Sequence, residues 1–315
     1  RLAIFAGYDK DNIIDDYVVY YIKELKKVAD IVYVCNCNML ESELDKISSY
    51  CIHIINGRHG EYDFGSYKRG FIYVRNNKII FDYDYLLLCN DSNFGPFIPF
   101  ENMFAQLTYD KATVYGCFKH LEINNLPKNN IHGLKKIDEH LQSHFLIIPQ
   151  QVFLSEWFYN FIKNIKLKEK IQIINNYEIG MGKLFSDHNI NMKSLYGEDN
   201  YNKPYSNPLE LIKNGYPFLK KIRKDLNIEE IKSILNLIKD HYNINLIINY
   251  YCRFPDENIL CNKKKLENDY SLLNTKTIIF TFLQFKNWAV CSIIKDIKYI
   301  KITLFGINII LKNKG

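Results

Sequence analysis

The feature that most constrains this chain is the apolar run Tyr85 to Cys89, which empties without a spacer into Asn90-Asp91-Ser92 and then Phe94-Gly95-Pro96. The run is long enough for a buried strand, and the small polar residues behind it are turn formers. A strand that stops on a carboxylate and a hydroxyl carries those groups to the C-terminal edge of a sheet. Ligands bind at that edge in open α/β proteins. Upstream, Asp63-Phe64-Gly65-Ser66-Tyr67-Lys68-Arg69-Gly70 sets an acid, two glycines and two cations side by side. That mixture suits a phosphate-bearing ligand and an accompanying metal.

The N-terminal region supplies the sheet. Leu2 to Ala6 reads as a buried strand ending at Gly7-Tyr8-Asp9-Lys10-Asp11, with Asp11 placed to N-cap a helix. Ile13, Tyr17, Tyr21, Leu25 and Val28 recur at the spacing of one helical face, and Ile31 to Cys35 is a second apolar run. Strand, helix, strand is a βαβ unit, which implies a parallel sheet. Further helices are predicted over 40–48, 65–71, 100–107, 157–165, 171–185 (interrupted by Gly180 and Gly182) and 228–238. Strands are predicted over 51–55, 113–118 and 141–149. Residues 119–140 read as a loop, 201–218 as an irregular arm and 254–274 as a linker. In the tail, apolar residues are interspersed with Lys295, Lys298, Lys301 and Lys312, and Gly306-Ile307-Asn308 suits a turn between two strands.

Composition narrows the function classes. At 315 residues, 47% apolar and 15% aromatic, the chain has ample material for one large domain or two modest ones. The formal charge of +6 comes from scattered lysines, with no stripe of arginine and interleaved aromatics, so nucleic acid is not an expected partner. Weak attraction to anionic substrates or an anionic membrane surface fits better. The 8 cysteines (Cys35, Cys37, Cys51, Cys89, Cys117, Cys252, Cys261 and Cys291) contain no C-x-x-C pair, so buried thiols in a reducing cytoplasm are expected rather than zinc or disulfides. Arg1 to Phe5 reads as a strand, not a signal peptide, and no apolar run reaches 18 residues. A cytoplasmic protein is therefore expected, at most touching the inner face of the membrane. The absence of an initiator methionine suits a piece of something longer.

The stretches AIFAGYDKDNIIDDYVVYYIKELKKVADIVYVCN, YDFGSYKRGF, YDYLLLCNDSNFGP, HLQSHFLI, NYEIGMGKL and NPLELIKNGYPFLKK, taken in order, resemble the rhamnan synthesis protein F family. The resemblance covers roughly residues 1 to 253, leaving 254–315 as a C-terminal extension of ordered strands or a peripheral membrane segment. It implies a mostly parallel α/β fold of the GT-A type used by nucleotide-diphosphosugar transferases. It also implies glycosyl transfer to bacterial cell-wall rhamnans, capsules or O-antigens. In similar enzymes an asparagine-glycine segment precedes a helix, and a later strand ends in an Asp-x-Asp metal motif. Asn56-Gly57, residues 65–71 and the strand ending in Asn90-Asp91-Ser92 follow that order. Only one carboxylate, Asp91, stands where two are usual. Mg²⁺ or Mn²⁺ would be held there if at all, since Asn90 and Ser92 are weaker ligands.

The expected site follows. Asp91, through a metal, and Lys68 or Arg69, directly, would neutralise a leaving diphosphate. Tyr8, Asp9, Asp63, Asn90 and Ser92 would complete the donor side. Glu178 would be the base that activates an acceptor hydroxyl, with Gly180 and Gly182 letting the acceptor approach. Alternation along a strand would put His140, Gln142 and His144 on one face, and His140 and Gln142 would touch the acceptor or sugar. Each has a plainer reading: Asp91 as a turn former, Lys68 and Arg69 as a solvated helix end, Asp63 as a helix cap, Glu178 as a surface glutamate. The expected partners are a nucleotide-diphosphosugar donor and an oligosaccharide or lipid-linked glycan acceptor, in an inverting reaction. Two alternatives stay open: a sugar-phosphate or polyol-phosphate transferase decorating a capsule, and a non-catalytic scaffold that binds glycan.

Overall fold

Alternation along the first strand decides the layering. In β1 (Leu2–Gly7), Leu2, Ile4 and Ala6 join one buried cluster with Phe64, Tyr67 and Phe71. Phe5 points the other way, its ring 5.1 Å from Tyr21 and 5.8 Å from Tyr33. A strand buried on both faces must be covered by helices on both faces.

The computed structural model describes residues 1–166, 168–199, 203–221 and 228–253, and the strands 278–285, 288–295, 299–304 and 307–312. The chain divides into two compact units, Arg1–Tyr250 and Tyr251–Gly315. In the first, β1 is followed by β2 (Asp30–Cys35), β3 (His53–Asn56), β4 (Tyr85–Asn90), β5 (Asn93–Phe94), β6 (Thr113–Gly116), β7 (Lys119–His120), β8 (His140–Leu141), β9 (Phe145–Pro149), β10 (Asn191–Ser194), β11 (Glu198–Asp199) and β12 (Leu219–Lys220). A 7-stranded sheet runs in the order β10-β6-β9-β4-β1-β2-β3. All of its strands point the same way except β9, which is antiparallel to both neighbours. Two small accessories lie beside it: the antiparallel ribbon β5–β12, and β8-β7-β11. The protein is thus a mixed α/β structure with a mostly parallel central sheet flanked by helices.

Helix α1 (Asp16–Lys26) lays Tyr17, Tyr21 and Leu25 against the sheet, as its periodicity requires, and α2 (Glu41–Ser48) follows β2. The N-cap of α1 is Asp15, not Asp11. The N–H groups of Asp11 and Ile13 instead donate to Asp9 Oδ1, so the aspartate that ends the first loop shapes it and the helix starts later. Helix α3 (Tyr62–Asn76) is longer than the expected 65–71 and packs on the opposite face of β1.

Three other expectations are corrected. The strand predicted over 141–149 is broken at residues 142–144, because Ser143 gives its N–H to Glu178 Oε1 and its carbonyl to Tyr67 Oη instead of to a ladder. Of the expected shared face of His140, Gln142 and His144, the first two still meet at His120, whereas His144 turns away to Tyr216. The helix over 171–185 is interrupted not by its glycines but by a π-helical segment, Ile174–Ile179, between Lys170–Ile173 and Gly180–Asp187. The loop 119–140 contains β7 and an antiparallel bridge from Ile123 to Ile137.

In the second unit, β13 (Ile278–Phe285), β14 (Trp288–Lys295), β15 (Tyr299–Leu304) and β16 (Ile307–Lys312) form an antiparallel meander. Ile307 and Asn308 belong to β16 rather than to a turn. The expected linker 254–274, Lys298 and Gly306 lie outside the described residues. Among cysteines with described side chains, Cys35, Cys37, Cys89 and Cys117 are buried thiols, Cys51 is half-buried, and Cys252, against expectation, is exposed. Among the described residues no helix is long and apolar enough to cross a membrane.

Helix α3 approaches β1 closely at Gly70, where an added Cβ would lie 2.5 Å from Ile4 Cγ2. Gly70→Ala is expected to lower unfolding free energy by about 1–3 kcal/mol, overpacking outweighing the ~1 kcal/mol that alanine gains in a helix. Gly57→Ala, with nothing within 4 Å of its Cβ, should change it by less than about 0.5 kcal/mol. Urea denaturation of both variants checks the pair.

Candidate active site

From β1 the chain steps to β2 and β3 on one side, while β4 lies on the other, so the strand order reverses between β1 and β4. Crevices outside the C-terminal ends of such strands are where open sheets bind ligands. Here the crevice is closed by polar contacts. Asp91 Oδ2 accepts the Tyr8 N–H at 2.8 Å, the Asp91 N–H donates to the Ala6 carbonyl at 3.2 Å, and Tyr17 Oη donates to the Asp91 carbonyl at 2.9 Å. Burial pushes the Asp91 carboxyl above the usual range, opposed by Lys221 and the Tyr8 N–H. Asn90 Oδ1 accepts from the Ser92 N–H at 3.1 Å and the Ser92 hydroxyl at 2.6 Å, while its Nδ2 donates to Asp63 Oδ2 at 2.7 Å. Asp63 therefore does not cap α3, whose N-cap is Glu61. It joins the helix start to the end of β4. Its carboxyl is pushed up to about 6, first by burial and then by Asp91 and Glu178, with Lys220 and Lys221 opposing.

Lys68 and Arg69, the expected phosphate ligands, are turned to Glu61, and Lys68 also reaches the Ile165 carbonyl. Glu61 is buried, so two cations on one carboxylate make a structural cluster at the start of α3. Among the described residues, Lys220 and Lys221 stand at the strand edge. The ribbon β5–β12 sets Lys220 opposite Asn93, and the Lys221 N–H donates to the Ser92 carbonyl at 3.0 Å. Lys220 Nζ donates to Ser92 Oγ at 3.0 Å, and Lys221 Nζ lies 3.9 Å from Asp91 Oδ1, over the rings of Tyr17 (5.1 Å) and Tyr250 (5.0 Å). These lysines are visible in the sequence as the end of NPLELIKNGYPFLKK, but nothing local says that residues 219–221 return to residue 92.

On the facing side, Glu178 sits in the π-helical segment, half-buried, with Oε1 fixed by the Ser143 N–H at 3.0 Å. Its charge is felt by Asp63, Tyr67 and His120. His140 and His120 pair across β7–β8 and stack at 5.0 Å, and Gln142 Nε2 lies 3.2 Å from His120 Nε2. Burial and His140 depress His120 to about 4, so its ring is neutral at pH 7. His120 escaped the sequence reading because only the long-range pairing brings it opposite His140. Gly182 is not a gap for an acceptor: a Cβ there would meet the Glu139 carbonyl at 2.3 Å and His140 Cβ at 2.6 Å. His144 is buried against Tyr216, whose hydroxyl lies 2.9 Å from Nε2. Tyr8 is 46% exposed at the rim, whereas Asp9 is buried beneath it. Neighbouring loops are pinned by amides: Asn36 Oδ1 accepts from the N–H groups of His59 and Gly60, and Asn56 bonds both the N–H and the carbonyl of Met39.

These residues fit a divalent cation poorly. Asp91 already holds a backbone N–H and faces an ammonium, the Asn90 amide is divided between Ser92 and Asp63, and Ser92 Oγ faces Lys220. Mg²⁺ demands near-octahedral oxygen ligation, and a carboxylate beside two lysines does not offer it. Among the described residues no group of three His, Cys, Asp or Glu side chains could hold a metal.

The model of the rhamnan synthesis protein F family matches residues 31–301. The chain belongs to that family. The match runs past the first compact unit and into the second. An uncharacterised protein of Sinorhizobium fredii, y4gN, is 25% identical over 207 residues, 65% of this chain and 51% of its own length. The chain thus spans about half the length of that relative. A glycosyltransferase involved in the glycosylation of the major capsid of PBCV-1 is a distant structural likeness. It is 10% identical, covers 76% of this chain and 100% of its own, and gives a TM-score of 0.33.

Asp63 generates a pH prediction. A carboxyl raised to about 6 holds a proton in the folded chain that it has lost in the unfolded one, whose value is ~3.9. Its contribution to stability is therefore present below about pH 4 and is lost as pH rises through 6. Asp63→Asn should unfold about 1–3 kcal/mol later than the parent at pH 7.5, and the gain should vanish near pH 4. Urea titrations at both pH values check it.

Proposed function

We propose that this chain is a GT-A-type glycosyltransferase domain that moves a sugar from a nucleotide-diphosphosugar to a growing bacterial surface glycan, with inversion. One observation carries the reading: at the reversal point of the sheet, the Asn90-Asp91-Ser92 turn is locked to Tyr8 and flanked by Lys220 and Lys221, with Glu178 near enough to act on Asp63 electrostatically. The single antiparallel strand β9 in an otherwise parallel sheet suits the GT-A type, and family membership supports polysaccharide synthesis.

In the proposed reaction, the nucleotide base lies by the exposed Tyr8 and the diphosphate by the Asp91 edge. An acceptor hydroxyl attacks the anomeric carbon from the opposite side, forming a new carbon–oxygen bond. The bond to the diphosphate breaks, and its electron pair leaves with the nucleoside diphosphate. The hydroxyl proton passes to Glu178, whose carboxylate is oriented by the Ser143 N–H. Neutral His120, with His140 and Gln142, offers donors and acceptors to sugar hydroxyls on that side. Asp91 acts by holding the Tyr8 backbone and the lysines in register.

A thermal-shift screen of UDP, GDP and dTDP tests donor binding, since a ligand for the native state raises apparent stability. The nucleotide sugars sharing the best base then serve in transfer assays with lipid-linked or oligosaccharide acceptors. Asp91→Ala should lower turnover at least about a hundredfold while the fold survives. Glu178→Gln should slow transfer comparably with donor binding retained. Transfer at the parent rate in a folded Glu178→Gln variant would remove it as base. Release of a nucleoside monophosphate with a phosphodiester product would point to the phosphate-transferase alternative.

A further inference from the structure

We infer that Tyr67 is a positioning residue for transfer: its buried hydroxyl holds the Ser143 carbonyl, and the Ser143 N–H in turn holds Glu178 where it faces the donor edge. The inference rests on the reading of Glu178 as the base and goes one step past it, to the group that sets where the base stands.

The line of contacts starts on α3. Asp63 and Tyr67 stand one turn apart and share a face of that helix. Asp63 Oδ2 takes the Asn90 amide at 2.7 Å and so fixes the turn at the end of β4. On the next turn, Tyr67 Oη donates to the Ser143 carbonyl at 2.9 Å, and Ser143 donates its N–H to Glu178 Oε1 at 3.0 Å. Asp63, Asn90 and Glu178 all act on the Tyr67 hydroxyl, which therefore stands at the junction of the two halves of the site. With one face tied to both, α3 sets the spacing between the Asn90–Ser92 turn and the glutamate.

Packing alone does not require that hydroxyl. The Tyr67 ring is fully buried in the apolar cluster, 5.7 Å from Phe64, a place that phenylalanine would fill as well. Burial first, then Asp63, pushes its phenol well above the usual range, so it keeps its proton and serves as a donor. Ser143 is buried too, between β8 and β9 and outside both strands. Its N–H and its carbonyl belong to two successive peptide planes, so holding both fixes the turn between them. The backbone that carries Glu178 is seated separately: one turn on, Gly182 lies so close to Glu139 that a Cβ would meet its carbonyl at 2.3 Å. What remains to be aimed is the carboxylate. A displacement of ~1 Å in a reacting group can cost about a hundredfold in rate.

Release of nucleoside diphosphate from UDP-glucose, GDP-mannose and dTDP-rhamnose, with water as acceptor, tests the inference together with hydrogen exchange at the Ser143 amide. In that reaction the water oxygen bonds to the anomeric carbon, its proton passes to Glu178, and the electron pair of the broken bond leaves with the nucleoside diphosphate. Y67F removes one oxygen atom and keeps the ring; it should lower kcat at least about tenfold with KM within about threefold. It should also speed exchange of the Ser143 amide at least about tenfold, as E178A should. On the E178A background, Y67F should change the residual rate by less than about twofold, because no carboxylate is left to aim. Y73F, which takes a hydroxyl from the same helix, should stay within about twofold of the parent throughout. Parent-like kcat or parent-like Ser143 exchange in Y67F overturns the positioning role and leaves Glu178 standing as base. A loss that persists in full on E178A also overturns it, since Tyr67 would then act through the scaffold. Turnover by E178A at the parent rate, or no release by the parent from any of the three donors, overturns the reading of the base and this inference with it. Should Y67F fail to fold, Y67M, whose flexible side chain adapts to the space left, is judged by the same outcomes.

Discussion

The Asp91 carboxylate closes on the Tyr8 N–H at the point where β1 and β4 run out, and the rest of the site takes its position from that contact. Two adjacent parallel strands have no further ladder beyond their ends, so their last backbone groups must find other partners or remain in water. Here the partners are supplied by one residue: the carboxylate takes the N–H from the loop after β1, the carbonyl takes the Tyr17 hydroxyl from α1, and the N–H takes the Ala6 carbonyl. Sheet, loop and helix are thereby tied at one point. Placing a carboxylate in so buried a position raises its proton affinity, and the opposing charge of Lys221 keeps the arrangement tolerable.

Around that point the charges are balanced locally rather than by long-range field. Asp63 and Asp91 lie on the side of β4, Lys220 and Lys221 come from the ribbon, and Glu178 stands toward the histidines. The second cluster, Glu61 with Lys68 and Arg69, is self-contained and locks the start of α3 to the Ile165 carbonyl. The +6 of the whole chain says little about either, because both are decided by contacts of a few ångströms.

What could be read from sequence and what could not divides along contact range. The βαβ start, the buried run 85–89 and its delivery of Asn90-Asp91-Ser92 to the sheet edge are local patterns, and each stands in the structure as read. Helix faces were legible for the same reason: Tyr17, Tyr21 and Leu25 in α1, and Ile231, Ile234, Leu235 and Ile238 later, are buried as their spacing requires. Failures came where a side chain took a backbone group from its expected partner. Glu178 and Tyr67 capture Ser143 and break a strand, and Asp9 takes the N–H groups of Asp11 and Ile13 where Asp11 was expected to cap the helix. Lys68 and Arg69 were legible only as sequence neighbours of Asp63, and the structure turns both to Glu61, whereas Lys220 and Lys221 come to the strand edge from far along the chain. The lysines reach Asp91 and Ser92 across a gap of 128 positions for Lys220.

The amides that pin the loops have a chemical lifetime. Asn56 holds Met39 by both its N–H and its carbonyl and accepts from the Cys35 thiol, and it is followed directly by Gly57. An asparagine before glycine is the kind most prone to lose ammonia, because the next backbone nitrogen can attack its side chain with little steric hindrance. Conversion to aspartate would abolish the donor to the Met39 carbonyl and put a new negative charge at the end of β3. The same three hydrogen bonds restrain the side-chain rotation that such an attack needs. The bonds that shape the loop therefore also slow the ageing of the residue that makes them.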